Sequence, residues 1–162
     1  MMVEILIPLG IYLITKYMTG MKPHKPTPGR ITSPYGYRNN PYPGKSGKQF
    51  HGGIDIADQS KKSQPVYATY PGVVKVAANS GSTSGLRVWV HKDNTNIYIL
   101  YAHLSKVNVR VGQKVNAGDL LGYTGNSGAE WSGIHLHYAE RVGGMSVNFP
   151  DRNPVEIAEL YK

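Results

Sequence analysis

The chain has no cysteine among its 162 residues. That excludes disulfides, Cys-ligated zinc, iron–sulfur clusters and a cysteine nucleophile. Any metal site must therefore be built from His, Asp, Glu or backbone oxygens. Acidic residues are scarce too, 10 against 18 Lys and Arg, which leaves a formal charge of +8. Such an excess favours anionic partners: nucleic acid, an acidic membrane face or a charged polymer. The positive residues are scattered, with no basic run longer than Lys61-Lys62, so a soluble basic surface accounts for most of them. Phe occurs only twice, against 12 Tyr, so most of the aromatic surface carries a polar tip.

Long apolar runs are missing as well. Ile5–Ile14 is apolar apart from Pro8 and Gly10, but spans only ten residues. A membrane-crossing helix needs about 20. The apolar core of a secretory signal can be this short, yet no Lys or Arg precedes the run and Glu4 stands in their place. Residues 1–20 are thus read as a signal, an anchor, or a docking helix that contacts a membrane or a larger assembly. The next stretch, 21–29, holds three prolines, which exclude helix and central strand. It reads as an extended linker, with the main domain over 30–162.

What is present points to strands. Gly (19) and Pro (11) together make up about a fifth of the chain, which favours short elements joined by turns. Runs over 65–70, 72–77, 86–91, 97–102, 119–123 and 134–139 are short, β-branched or aromatic, and bounded by turn residues. A lone helix is expected near the end, with Asn153 as N-cap and Pro154 in its first turn. The fold class is mainly β: a small antiparallel sandwich or barrel with a short C-terminal helix.

Three His clusters stand out. In His51-Gly-Gly-Ile-Asp55, an extended backbone sets His51 and Asp55 on one side, with two glycines leaving room for a second chain or substrate to approach. In His135-Leu-His137, the i and i+2 positions of a strand aim both imidazoles into one space and Leu136 away from it. His103 ends the hydrophobic run 97–102. Each cluster alone is also compatible with an ordinary surface or hydrogen-bonded His. Together they supply one carboxylate and two imidazoles for a metal, with two imidazoles left to move protons. His24 and His91 read as solvent-exposed.

Here the sequence resembles the LytM/lysostaphin-type zinc endopeptidases, family M23. His51-x-x-x-Asp55 and His135-x-His137 match the two signature motifs. Ser33–Arg38, Tyr101–Leu104, Val111–Gly118, Gly122–Asn126 and Asn153-Pro154 agree in order. The resemblance covers about residues 30–158. It implies one zinc ion held by His51, Asp55 and His137, with His103 and His135 as the catalytic pair. It also implies a barrel-sandwich hybrid fold of the duplicated hybrid motif type, and cleavage of peptide bonds in peptidoglycan. Extracytoplasmic, cell-envelope or phage-lysis settings all suit such an enzyme. The stretch 127–134 departs from the family pattern and puts Trp131 in a substrate-facing loop. Tyr42 is the nearest candidate for an extra oxyanion donor. The alternative is a catalytically silent wall-binding or activator module of the same fold. A nucleic-acid-binding domain would leave the His/Asp set unexplained, so no nucleic acid is expected.

Overall fold

The computed structural model describes residues 22–41, 44–81, 83–128 and 133–162. Residues 1–20, Tyr42 and Trp131 lie outside them. Among the described residues, no helix is long and apolar enough to cross a membrane.

The largest sheet is antiparallel. Its strands, in spatial order, are β1 (Arg30–Ser33), β4 (Ile54–Ala57), β12 (Leu136–Val142), β8 (Ile97–Ala102), β7 (Leu86–Lys92), β6 (Gly72–Asn79) and β10 (Lys114–Val115). Strand β13 (Asp151–Arg152) also pairs with β12. A three-stranded sheet runs β5 (Pro65–Tyr67), β11 (Leu120–Thr124) and β9 (Leu104–Val107). A hairpin of β2 (Gly36–Asn39) and β3 (Lys48–His51) stands beside them. The expected mainly-β class and short terminal helix, α1 (Val155–Glu159), are both present.

The sequence pattern follows burial. Strand β4 alternates, with Ile54 and Ile56 buried and Asp55 and Ala57 facing outward. Strand β8 has apolar cover on both faces, which is why it reads as a continuous run. Ile99 and Tyr101 join the main core between the two sheets, with Val66, Leu104, Leu121 and Tyr138. Leu100 and Ala102 face the other way, with Trp89 and Ala139. Each such large side chain contributes roughly 1.5–3 kcal/mol by leaving water.

Two expectations change in detail. Pro154, not Asn153, is the N-cap of α1, and no side chain caps the helix. The first turn is instead closed by the Pro154 carbonyl, which accepts from the Ile157 and Ala158 N–H groups. Within the Pro-rich stretch, residues 22–29 form no strand or helix, bend at 26–29 and run along the domain. The Pro26 carbonyl accepts from Tyr67 N–H, Thr27 is buried, and the Tyr161 hydroxyl donates to the Thr27 carbonyl.

Candidate metal centre and its imidazole rim

Four stretches of chain converge on one outward patch of the large sheet. His137 on β12 stands directly opposite Asp55 on β4 in the strand register. His51, the last residue of β3, arrives through the Gly52-Gly53 turn. That turn needs glycine. A Cβ on Gly53 would overlap the Tyr138 carbonyl oxygen, so any larger residue would push His51 off the sheet. His135 precedes β12 and is tied to Gly125 by a single bridge, its N–H donating to the Gly125 carbonyl at 3.0 Å.

His103 sits where the chain leaves the large sheet for the small one, between Ala102 of β8 and Leu104 of β9. The corner costs strain: its φ is +62°, the left-handed region that L side chains rarely adopt. The surroundings hold it there. His103 N–H donates to the Ser84 carbonyl at 3.1 Å, and its Nδ1–H donates to the Ser127 carbonyl at 2.9 Å. Strain of this kind at a His facing a cluster of other His is typical of functional sites.

The centre is a triangle of acceptor atoms. His137 Nδ1 lies 2.9 Å from Asp55 Oδ1, His51 Nε2 lies 3.2 Å from it, and the two imidazole nitrogens are 3.1 Å apart. His51 has no spare proton for this triangle. Its Nδ1–H donates to the Pro34 carbonyl at 2.9 Å, so a neutral ring turns its Nε2 lone pair inward. Three inward acceptors therefore share at most one ring proton, an unfavourable arrangement away from water unless a cation fills it. Ligands at zinc's usual bond lengths in a tetrahedron stand roughly 3.3 Å apart, close to these three edges. The residues fit one zinc ion, with a fourth position left open.

The other oxygen of the carboxylate is already held. Arg38 Nη1 donates to Asp55 Oδ2 at 3.0 Å and also to the Ser33 hydroxyl. This fixes the carboxylate so that Oδ1 turns to the imidazoles. Burial opposes ionisation of Asp55, but the neighbouring imidazoles, His137 first and then His51, outweigh it in the metal-free protein and hold the carboxyl well below its usual range. Burial lowers His137 as well, against the pull of Asp55.

His103 and His135 form a rim beside the triangle. Their rings are 4.7 Å apart, and His103 is 5.9 Å from His137. His135 Nε2 is 3.9 Å from Asp55 Oδ1, and its Nδ1 is 2.9 Å from the Gly133 carbonyl. Both rings thus anchor Nδ1 on a backbone carbonyl and turn Nε2 to the site. Burial pushes His103 down to about 4, helped by the nearby His135 and His137 and opposed by its bond to Ser127. The His103 ring is therefore neutral at physiological pH.

All five residues singled out in the sequence as ligands or proton carriers meet in this patch. Tyr42 and Trp131 fall outside the described residues. Arg38, Ser33 and Ser127 were not assigned roles from sequence, although Ser33 and Arg38 lie in one of the quoted motifs.

Residues 49–149 match the model of peptidase family M23. The chain belongs to this family. Over 129 residues, 80% of its length, it is 36% identical to DD-carboxypeptidase/endopeptidase Mpg of Neisseria meningitidis. It is 40% identical over 98 residues, 60% of its length, to peptidoglycan DD-endopeptidase ShyA of Vibrio cholerae. It covers 27% of Mpg and 22% of ShyA, so the chain spans about a quarter of the length of these relatives. Among solved structures, a variant catalytic domain of the prophage-encoded M23 protein EnpA from Enterococcus faecalis superposes with a TM-score of 0.67 at 35% identity. That match covers 82% of this chain and 94% of the EnpA domain. M23 peptidases are zinc-dependent, and the His51–Asp55–His137 triangle is the one metal-capable group found among the described residues.

Proposed function

We propose that the chain is the catalytic part of a zinc endopeptidase that hydrolyses peptide bonds of bacterial peptidoglycan. The observation that carries the reading is the triangle of His51 Nε2, Asp55 Oδ1 and His137 Nδ1, with two further imidazoles turned to it. Zinc, when bound, supplies Lewis acidity that lowers the pKa of water and polarises a carbonyl. The protein does the rest. Arg38 holds Asp55 in its ligating orientation. Of His103 and His135, one accepts the proton of the attacking water through Nε2. The other donates a hydrogen bond to the developing oxyanion or returns a proton to the leaving amine.

The relatives favour this substrate, since ShyA is named as a peptidoglycan endopeptidase. The charge of +8 suits adsorption to an anionic wall and predicts salt-sensitive binding. An extracytoplasmic site of action follows, in an envelope or phage-lysis setting, with residues 1–20 as signal, anchor or docking segment. The direct test is release of free amino groups from purified peptidoglycan. Release that stops with chelator and returns with zinc supports the reading. No release from several wall types by zinc-loaded protein would leave the silent binding module in its place.

A further inference from the structure

A cavity of about 670 Å³ opens on the same side of the sheet as the metal centre. Its wall includes Arg30, Ala57, Asp58, Lys61, Gly133 and Ile134. The register fixes its position. Asp55 and Ala57 share the outward face of β4, and Arg30 of β1 stands opposite Ala57. On the other flank, Gly133 and Ile134 run directly into His135. The cavity thus begins two residues along the strand from Asp55, about 7 Å at the usual strand rise. One or two residues of an extended peptide span that distance.

The polar lining is unequal. Arg30 and Lys61 form no ion pair among the described residues. The single acid, Asp58, is occupied locally, with its Oδ1 accepting from Ser60 N–H at 2.8 Å. Lys61 also stands at φ +55°, a conformation that Gly or Asn would adopt with less strain. Arg38, the cation nearest the metal centre, is committed to Asp55.

We propose that Arg30 and Lys61 form a carboxylate-binding subsite of the cleft, which selects peptides carrying a free carboxylate one or two residues from the bond cut. The inference rests on the peptidase reading above and sharpens it. Stem peptides containing diaminopimelate carry such carboxylates beside the cross-link, whereas glycine bridges do not.

The test uses the zinc-loaded full chain and three probes. Two are cross-linked dimers containing diaminopimelate, with its carboxylate free or converted to the carboxamide. The third is a pentaglycine-bridged dimer. A charge-assisted contact predicts that the free form is cut with kcat/KM roughly 10- to 100-fold above the carboxamide. The double variant Arg30→Gln, Lys61→Gln should cut the free form as slowly as the carboxamide, with zinc content confirming the fold. Equal rates on both forms in the wild type, or preference for the pentaglycine dimer, would overturn the subsite and leave the peptidase reading standing. Failure to cut any probe would overturn both. Weaker binding of the double variant to a phosphate-rich wall polymer, with discrimination between the dimers intact, would reassign the two cations and overturn the subsite.

Discussion

A buried carboxylate and a half-buried one stand on neighbouring strands, and their surroundings are opposites. Glu140 on β12 points to the core face and has a donor on each oxygen. The Tyr138 hydroxyl donates to Oε1 at 2.8 Å, and Arg152 of β13 donates to Oε2. Behind Tyr138, a directed chain runs from Thr69 N–H to the Tyr101 hydroxyl, on to the Thr69 hydroxyl and then to Tyr138. Asp55 on β4 points to the outer face. Its Oδ2 has a donor in Arg38, but its Oδ1 meets imidazoles whose protons are largely spent on carbonyls. A carboxylate whose two oxygens both meet donors is a structural tie. One that meets other acceptors is a place for a cation.

Breaking the second cluster should have the largest effect. Asp55→Ala removes one ligand and should lower zinc stoichiometry from about one towards zero, with peptidase activity falling on the order of 1,000-fold or more. Metal analysis and peptide release on the same sample check it. His103→Ala tests the rim: zinc should stay, and kcat should fall roughly 100- to 10,000-fold. Full activity in that variant would remove His103 from the mechanism. Arg38→Gln leaves all ligands but frees Oδ2, and competition with a chelating dye should show zinc affinity lowered about 10- to 100-fold.

The first cluster should answer differently. Glu140→Ala strands Tyr138 and Arg152, and denaturant unfolding should show roughly 2–3 kcal/mol of lost stability, since Arg152 is partly solvated. Zinc bound per folded molecule should not change. The smallest effect is on pH dependence of the metal-free protein. His103 is lowered from 6.5 to about 4, and Asp55 is lowered too. Above pH 6.5, folded and unfolded chains hold equal protons at His103, and its share of stability is complete. As pH falls towards 4, the unfolded chain takes up a proton that the folded one refuses, so stability drops. Asp55 adds to the loss at lower pH for the same reason. Unfolding midpoints at pH 7 and pH 5 should differ in that direction.

Much of this was legible in the sequence, for local reasons. Strand parity alone sets His135 and His137 into one space and Leu136 into the core. The glycines at 52 and 53 signal a close approach, but what comes close to Gly53 is the backbone carbonyl of Tyr138 in the same chain, not a second chain or a substrate. The β-branched runs locate most long strands, although β5 is shorter than its run suggests. What could not be read is long-range. Nothing local says that β4 lies beside β12, or that His103 turns the corner between two sheets. Arg38 reaches Asp55 from 17 residues away through the β2–β3 hairpin. Glu140 had a signal, since Leu136, Tyr138 and Glu140 share parity, which sets a lone acid among apolar partners on the core side.

The acceptor triangle of His51, Asp55 and His137 is a site for one zinc ion. Calorimetric titration of zinc into chelator-stripped wild type and Asp55→Ala tests it most directly. One tight site is expected in the wild type, and loss of that site in the variant, with both proteins folded. Equal binding in the two, or no binding in the wild type, would contradict it.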